Sequence, residues 1–136
     1  MIKGSCLCAA VKYELTAESP MQGLCYCTDC QIASGSSHWA SYAVSPSEFN
    51  LLEGNLIEFA YDPGSGRELV RCFCDQCGTQ IKVVSAALGV ASVNAMTLDE
   101  ADRFIPRLTY FSHSAPGWCQ VDQGLAKFEE MGDSTS

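Results

Sequence analysis

The sequence predicts a mainly β domain whose loops are pinned by metal, and three observations carry that reading. Short stretches of alternating apolar and polar residues recur along the chain, with Gly, Pro, Asn and Asp at the joints, which is the rhythm of strands and turns. Eight of the nine cysteines fall in three tight groups, Cys6-x-Cys8, Cys25-x-Cys27-x-x-Cys30 and Cys72-x-Cys74-x-x-Cys77. A length of 136 residues with 47% hydrophobic content suits one domain with a modest core.

Taken in order, residues 9–15 alternate, with Val11, Tyr13 and Leu15 on one side and Lys12 and Glu14 on the other, a half-buried strand that starts at the first cysteine pair. Residues 28–33 suit one helical turn closing the group Cys25, Cys27 and Cys30, and residues 38–44 are strand-like. Ser45-Pro46-Ser47-Glu48 reads as a small capping box with proline at the first helical position. Strands are expected at 49–52 and 56–61 around Glu53-Gly54-Asn55, and Asp62-Pro63-Gly64-Ser65-Gly66 is a loop. A strand at 68–73 enters the knuckle Cys74-Asp75-Gln76-Cys77-Gly78, whose glycine supplies the positive φ of a tight turn, and a strand at 79–85 leaves it. Segments 90–95 and 107–111 complete the strands, with a helical turn at 98–102. The domain is expected to span residues 1–130, with 131–136 a frayed tail.

Composition narrows the function. With 8 Lys and Arg against 16 Asp and Glu, the chain lacks the broad basic surface that phosphate binding needs, so nucleic acid is excluded as a partner. No apolar run approaches the ~18–20 residues of a membrane span. The opening Met1-Ile2-Lys3-Gly4-Ser5-Cys6 has no apolar signal region, which points to the cytoplasm. Thiols stay reduced there, so clustered cysteines read as metal ligands or catalytic groups before disulfides. Thiolates select zinc or iron–sulfur, and the C-x₂-C-x₂-C run of bacterial iron–sulfur proteins does not occur, so zinc is expected. Spacing alone leaves open how the thiolates divide, and does not exclude Cys72. Two groups share the C-x-C-x₂-C spacing but not the residues between, an echo that reads as common chelation geometry.

At these residues a family resemblance enters. Gly4-Ser5-Cys6-Leu7-Cys8-Ala9-Ala10-Val11-Lys12-Tyr13 resembles the GxCxCGxVxY opening of the glutathione-dependent formaldehyde-activating enzyme family. Cys25-Tyr26-Cys27-Thr28-Asp29-Cys30-Gln31 resembles its CHCxxCR segment, and Arg71-Cys72-Phe73-Cys74-Asp75-Gln76-Cys77-Gly78-Thr79 its RxFCxxCGT segment. Thr97-Leu98-Asp99 and Trp118 also fall where the family has similar residues. The chain departs from the pattern at Ala9, where glycine is usual, at Tyr26 for histidine, at Gln31 for arginine, and at Ala95-Met96, where a glycine usually precedes Leu-Asp.

The resemblance implies the Mss4-like β fold and two zinc ions. One, structural, would be held by Cys6, Cys8, Cys74 and Cys77; the other, catalytic, by Cys25, Cys27 and Cys30. Cys72 stands at a variable position of the family pattern and is left out. The implied reaction is reversible addition of a thiol such as glutathione to formaldehyde or a related small aldehyde, a carbon–sulfur lyase activity. The competing reading is a non-catalytic zinc module that binds protein, and a third makes Cys25, Cys27 and Cys30 a redox or zinc-buffering group. A homodimer is compatible with the sequence. Glutathione is anionic in an already acidic chain, so its carboxylates call for a local cationic patch, with Lys82, Arg67, Arg71, Arg103 and Arg107 as candidates. His38 and His113 are candidate bases but sit apart from the cysteine groups and read first as structural. Cys119 reads as a buried inert thiol, and Trp39, Tyr42 and Trp118 as core aromatics that could line a pocket.

Overall fold

Two sheets carry the chain in the computed structural model, which describes residues 1–129. Strands β1 (Ile2–Ser5), β2 (Lys12–Leu15) and β5 (Phe49–Glu53) form an antiparallel sheet in the order β1-β2-β5. The others are β3 (Met21–Cys25), β4 (Trp39–Val44), β6 (Leu56–Tyr61), β7 (Leu69–Cys74), β8 (Gln80–Ser85), β9 (Val90–Asn94), β10 (Leu108–Tyr110) and β11 (Ala126–Phe128). They form an eight-stranded sheet in the order β11-β10-β3-β4-β9-β8-β7-β6. Pairing is antiparallel except at β3–β10 and β10–β11, which run parallel. One helix, α1 (Thr28–Ser34), joins β3 to β4, and the left-handed Gly35 ends it.

Burial follows each strand's place. β4 lies between β3 and β9, and its run Trp-Ala-Ser-Tyr-Ala-Val is buried at five of six positions. β2 alternates as expected: Tyr13 and Leu15 are fully inside while Lys12 is exposed. The Tyr13 ring stacks on Phe49 with centroids 4.9 Å apart, and its hydroxyl meets Thr97 Oγ1 at 2.6 Å. Leaving that buried hydroxyl unpartnered would cost about 1–3 kcal/mol. Gly4 faces it: a Cβ there would stand 2.3 Å from the tyrosine ring, so β1 closes on β2 only with glycine at this position.

Apolar side chains gather in two clusters, one beside each cysteine group. The larger contains Tyr13, Leu15, Tyr42, Ile81 and Val93 and takes in Cys6 and Cys74. The smaller joins Trp39, Val83 and Tyr110 to Cys25 and Cys30.

The structure corrects several expected boundaries. Residues 9–11 form the irregular exit of the turn after Cys6, and the strand begins at Lys12. The helical turn expected at 98–102 is two 3-10 turns, Ala95–Thr97 and Ala101–Arg103, because Asn94 caps the first and Leu98 pairs with Gly4 between them. Strands β5 and β6 lie where expected but belong to different sheets, so Gly54 bridges sheets and does not close a hairpin. β1, β3 and β11 were not expected. The frayed tail assigned to 131–136 lies outside the described residues.

Candidate functional site

The first cysteine group is built from two turns far apart in sequence. Between β1 and β2, the Ala9 amide donates to the Cys6 carbonyl, and Ala9 takes the left-handed conformation at φ 66°. Between β7 and β8, the Gly78 amide donates to the Cys74 carbonyl with φ 76°. The two knuckles meet face to face, and the Leu7 amide donates to Thr79 Oγ1 across them at 3.2 Å. The Sγ atoms of Cys6, Cys8, Cys74 and Cys77 all lie within 4.8 Å of one another, with Cys6–Cys8 at 3.6 Å and Cys8–Cys74 at 3.8 Å. Sulfurs on a tetrahedral zinc with Zn–S of about 2.3 Å are separated by about 3.8 Å, so these four fit the ion.

Amides and water supply the electrostatics of this group. Val11 N–H donates to Cys6 Sγ, and the amides of Gln76 and Cys77 both donate to Cys74 Sγ, at 3.2, 3.3 and 3.4 Å. Thr79 hydrogen bonds hold the Cys77 thiol down to about 5. Cys8 and Cys77 are exposed.

The second group is local in sequence, with Cys25 and Cys30 buried and Cys27 half-buried. Cys25 ends β3, where it pairs with Trp39 and Tyr110; Cys27 caps α1, its sulfur accepting the Cys30 amide at 3.3 Å; Cys30 is inside the first turn. Their three Sγ atoms also lie within 4.8 Å of one another, and among the described residues no fourth Cys, His or carboxylate joins them. The donor set fits a thiophilic ion with one ligand still to come from elsewhere. Hydrogen bonding from the thiols of Cys25 and Cys30 holds Cys27 down to about 3, with the Cys30 amide and the charge of Arg71 assisting against burial. Cys27 first and Cys30 next, and then burial, push Cys25 well above the ordinary thiol value.

A cavity of about 370 Å³ opens beside these three thiols. Trp39, Leu69, Val83 and Phe111 give it apolar walls, and Trp39 is fixed by its indole N–H donating to Ser92 Oγ at 2.9 Å. Arg67 and Arg71 bring positive charge and Asp29 negative. A ligand of this volume with an apolar body and a few polar groups is the usual occupant of such a space.

The other candidates separate cleanly. Of the five cations, only Arg67 and Arg71 line the cavity. Lys82 lies over the Phe49 ring at 4.0 Å, Arg103 is paired with Glu18 and Glu100, and Arg107 is exposed. His113 lines the cavity, with Nδ1 3.3 Å from Glu129 Oε1; His38 does not, and its Nδ1 meets Ser37 Oγ. Cys72 is buried in mid-strand, apart from both groups. Cys119 is half-buried, contrary to expectation, and Trp118 is 77% exposed, neither core nor cavity wall. Tyr61 was not a candidate; its position in a strand carried no signal that its hydroxyl would accept from Arg71 Nε at 3.0 Å.

Comparison with known proteins adds sequence and fold evidence. The family model described as glutathione-dependent formaldehyde-activating enzyme matches residues 1–114. No curated protein matches the chain. A crystal structure of a Rhodobacter sphaeroides protein superposes with a TM-score of 0.58 at 21% identity, covering 72% of this chain and 88% of that one. At that identity the likeness is one of fold.

Proposed function

Because the chain belongs to the glutathione-dependent formaldehyde-activating enzyme family, we propose that it is a zinc-dependent carbon–sulfur lyase that adds a thiol such as glutathione to formaldehyde or a related small aldehyde, reversibly. The observation that supports this most is the incomplete cysteine group on a cavity wall. In this reading Cys6, Cys8, Cys74 and Cys77 hold a structural zinc, and Cys25, Cys27 and Cys30 hold a catalytic one. Zinc at the three-thiolate group would acidify a bound thiol and polarise a carbonyl.

The chain's own residues supply the rest. Addition forms one C–S bond, breaks the C=O π bond, and moves the thiol proton to the carbonyl oxygen. Trp39, Leu69 and Phe111 keep water from the reacting sulfur and hold the two reactants close, which removes much of the entropic barrier to their meeting. Arg67 faces the carboxylates of an anionic thiol, and Asp29 its ammonium group. A reducing, cytoplasmic compartment suits a protein that uses seven thiols as ligands.

The test is NMR exchange between formaldehyde and glutathione with the uncatalysed rate subtracted. Cys27→Ala should abolish the catalysed exchange while the far-UV spectrum and melting transition persist. Unchanged exchange in a folded variant rejects the reading.

A further inference from the structure

Building on the reading that Cys25, Cys27 and Cys30 hold zinc, we propose that Arg71 is the fixed counter-charge of that group, a positioning residue that lets three thiolates hold a divalent ion inside the protein. Arg71 is on β7 and only 5% exposed. A buried guanidinium costs several kcal/mol unless it is paired. Among the described residues it forms no ion pair with a carboxylate. Its Nε donates to Tyr61 Oη at 3.0 Å, and its Cζ lies 5.6 Å from the centre of that ring. Nη2 stands 3.7 Å from Cys30 Sγ, and Nη1 has no hydrogen-bond partner. Of the groups it touches, Cys30 Sγ is the one that carries a negative charge when it ligates a metal.

Charge arithmetic explains the pairing. Three thiolates and a divalent ion leave one net negative charge, in a pocket where Cys25 and Cys30 are almost wholly shielded from water. Arg71 cancels that charge, and being permanently protonated it does so at every pH the protein meets. The four-thiolate group needs no such residue, because two of its cysteines face solvent and amides serve the others. Arg67 lines the same cavity but is half-exposed and does not touch the sulfurs, so it is not the counter-charge.

The experiment is chelator competition on the zinc-loaded full chain, with each site's release followed separately in wild type, R71M, R71K and Y61F. R71M should release the three-thiolate zinc roughly 10- to 100-fold more readily, the range for losing an outer-sphere partner of a metal ligand, with the other zinc unchanged. R71K should recover part of the loss, and Y61F should show a smaller loss than R71M. Retention in R71M equal to wild type overturns the proposal, as does R71K performing no better than R71M. If R71M releases both zincs through misfolding, Y61F decides: weakened retention at the three-thiolate site supports the counter-charge, and unchanged retention overturns it. Wild-type protein that retains both zincs but shows no thiol–aldehyde exchange defeats the proposed function alone.

Discussion

The two cysteine groups use the same chemistry in opposite settings. The four-thiolate group joins turns some seventy residues apart, keeps Cys8 and Cys77 exposed, and has amides donating to its two buried sulfurs. The three-thiolate group lies within six residues, has two sulfurs buried and Cys27 half-buried, and has a guanidinium against Cys30. A set that is complete and ties distant segments together is architecture; a set that is incomplete, local and beside a cavity is a place for a ligand. Removing a cysteine from each group separates these roles most sharply. Cys74→Ala should abolish cooperative melting, because a structural zinc contributes about 10–16 kcal/mol of binding free energy, as much as or more than the ~5–15 kcal/mol by which a domain is stable. Cys27→Ala should melt much like wild type. A folded Cys74→Ala protein with a normal transition would erase the distinction.

A smaller effect sharpens the comparison within the four-thiolate group. Each of its two knuckles closes on a left-handed residue, but one uses Gly78 at φ 76° and the other Ala9 at φ 66°. An L-residue pays roughly 1–2 kcal/mol for the left-handed conformation, partly returned because glycine is freer when unfolded. Ala9→Gly should therefore raise stability by about 1 kcal/mol, read as a higher denaturation midpoint with an unchanged slope. A lower midpoint would show that the alanine methyl group makes contacts worth more than its backbone strain.

Much of this was legible in the sequence, and what was not has physical reasons. Alternation marked β2 and β8, which bury every second residue, and the flanking knuckle marked β7. β3 escaped notice because Gly23 interrupts Met-Gln-Gly-Leu-Cys; the glycine is there because a Cβ would come within 2.3 Å of Leu108 on the neighbouring strand. Cysteine spacing could not distinguish Cys72 from Cys25, since each opens the same C-x-C-x₂-C run. The backbone separates them: Cys25 ends its strand and turns into α1, whereas Cys72 stays in mid-strand and leaves its group at Cys74. The cavity was invisible for a different reason. Its walls come from β3, α1, β4, the 62–67 loop, β7, β8, β9 and the 111–114 segment, and no local pattern announces that Arg67 and Arg71 of five cations will line the same cavity.

The smallest expected effect tests how dry the helix side of the three-thiolate group is. His38 follows α1, its carbonyl accepting from Ser34 Oγ at 3.0 Å, and its ring lies against Tyr26 with centroids 5.5 Å apart. Burial there disfavours the imidazolium and lowers its pKa from 6.5. The Ser37 hydroxyl, 2.9 Å from Nδ1, can donate to the neutral ring, a bond that protonation removes. The sign follows from linkage: the unfolded chain takes up this proton first, so the stabilisation is fully present above about pH 6.5 and is lost as pH falls through the folded value. An NMR titration should therefore place His38 below 6.5, and His38→Gln should flatten the fall in stability just under that pH. If His38 instead titrates at or above 6.5, water reaches the segment that follows α1, and the contrast between the two cysteine groups weakens at that end while standing at Arg71.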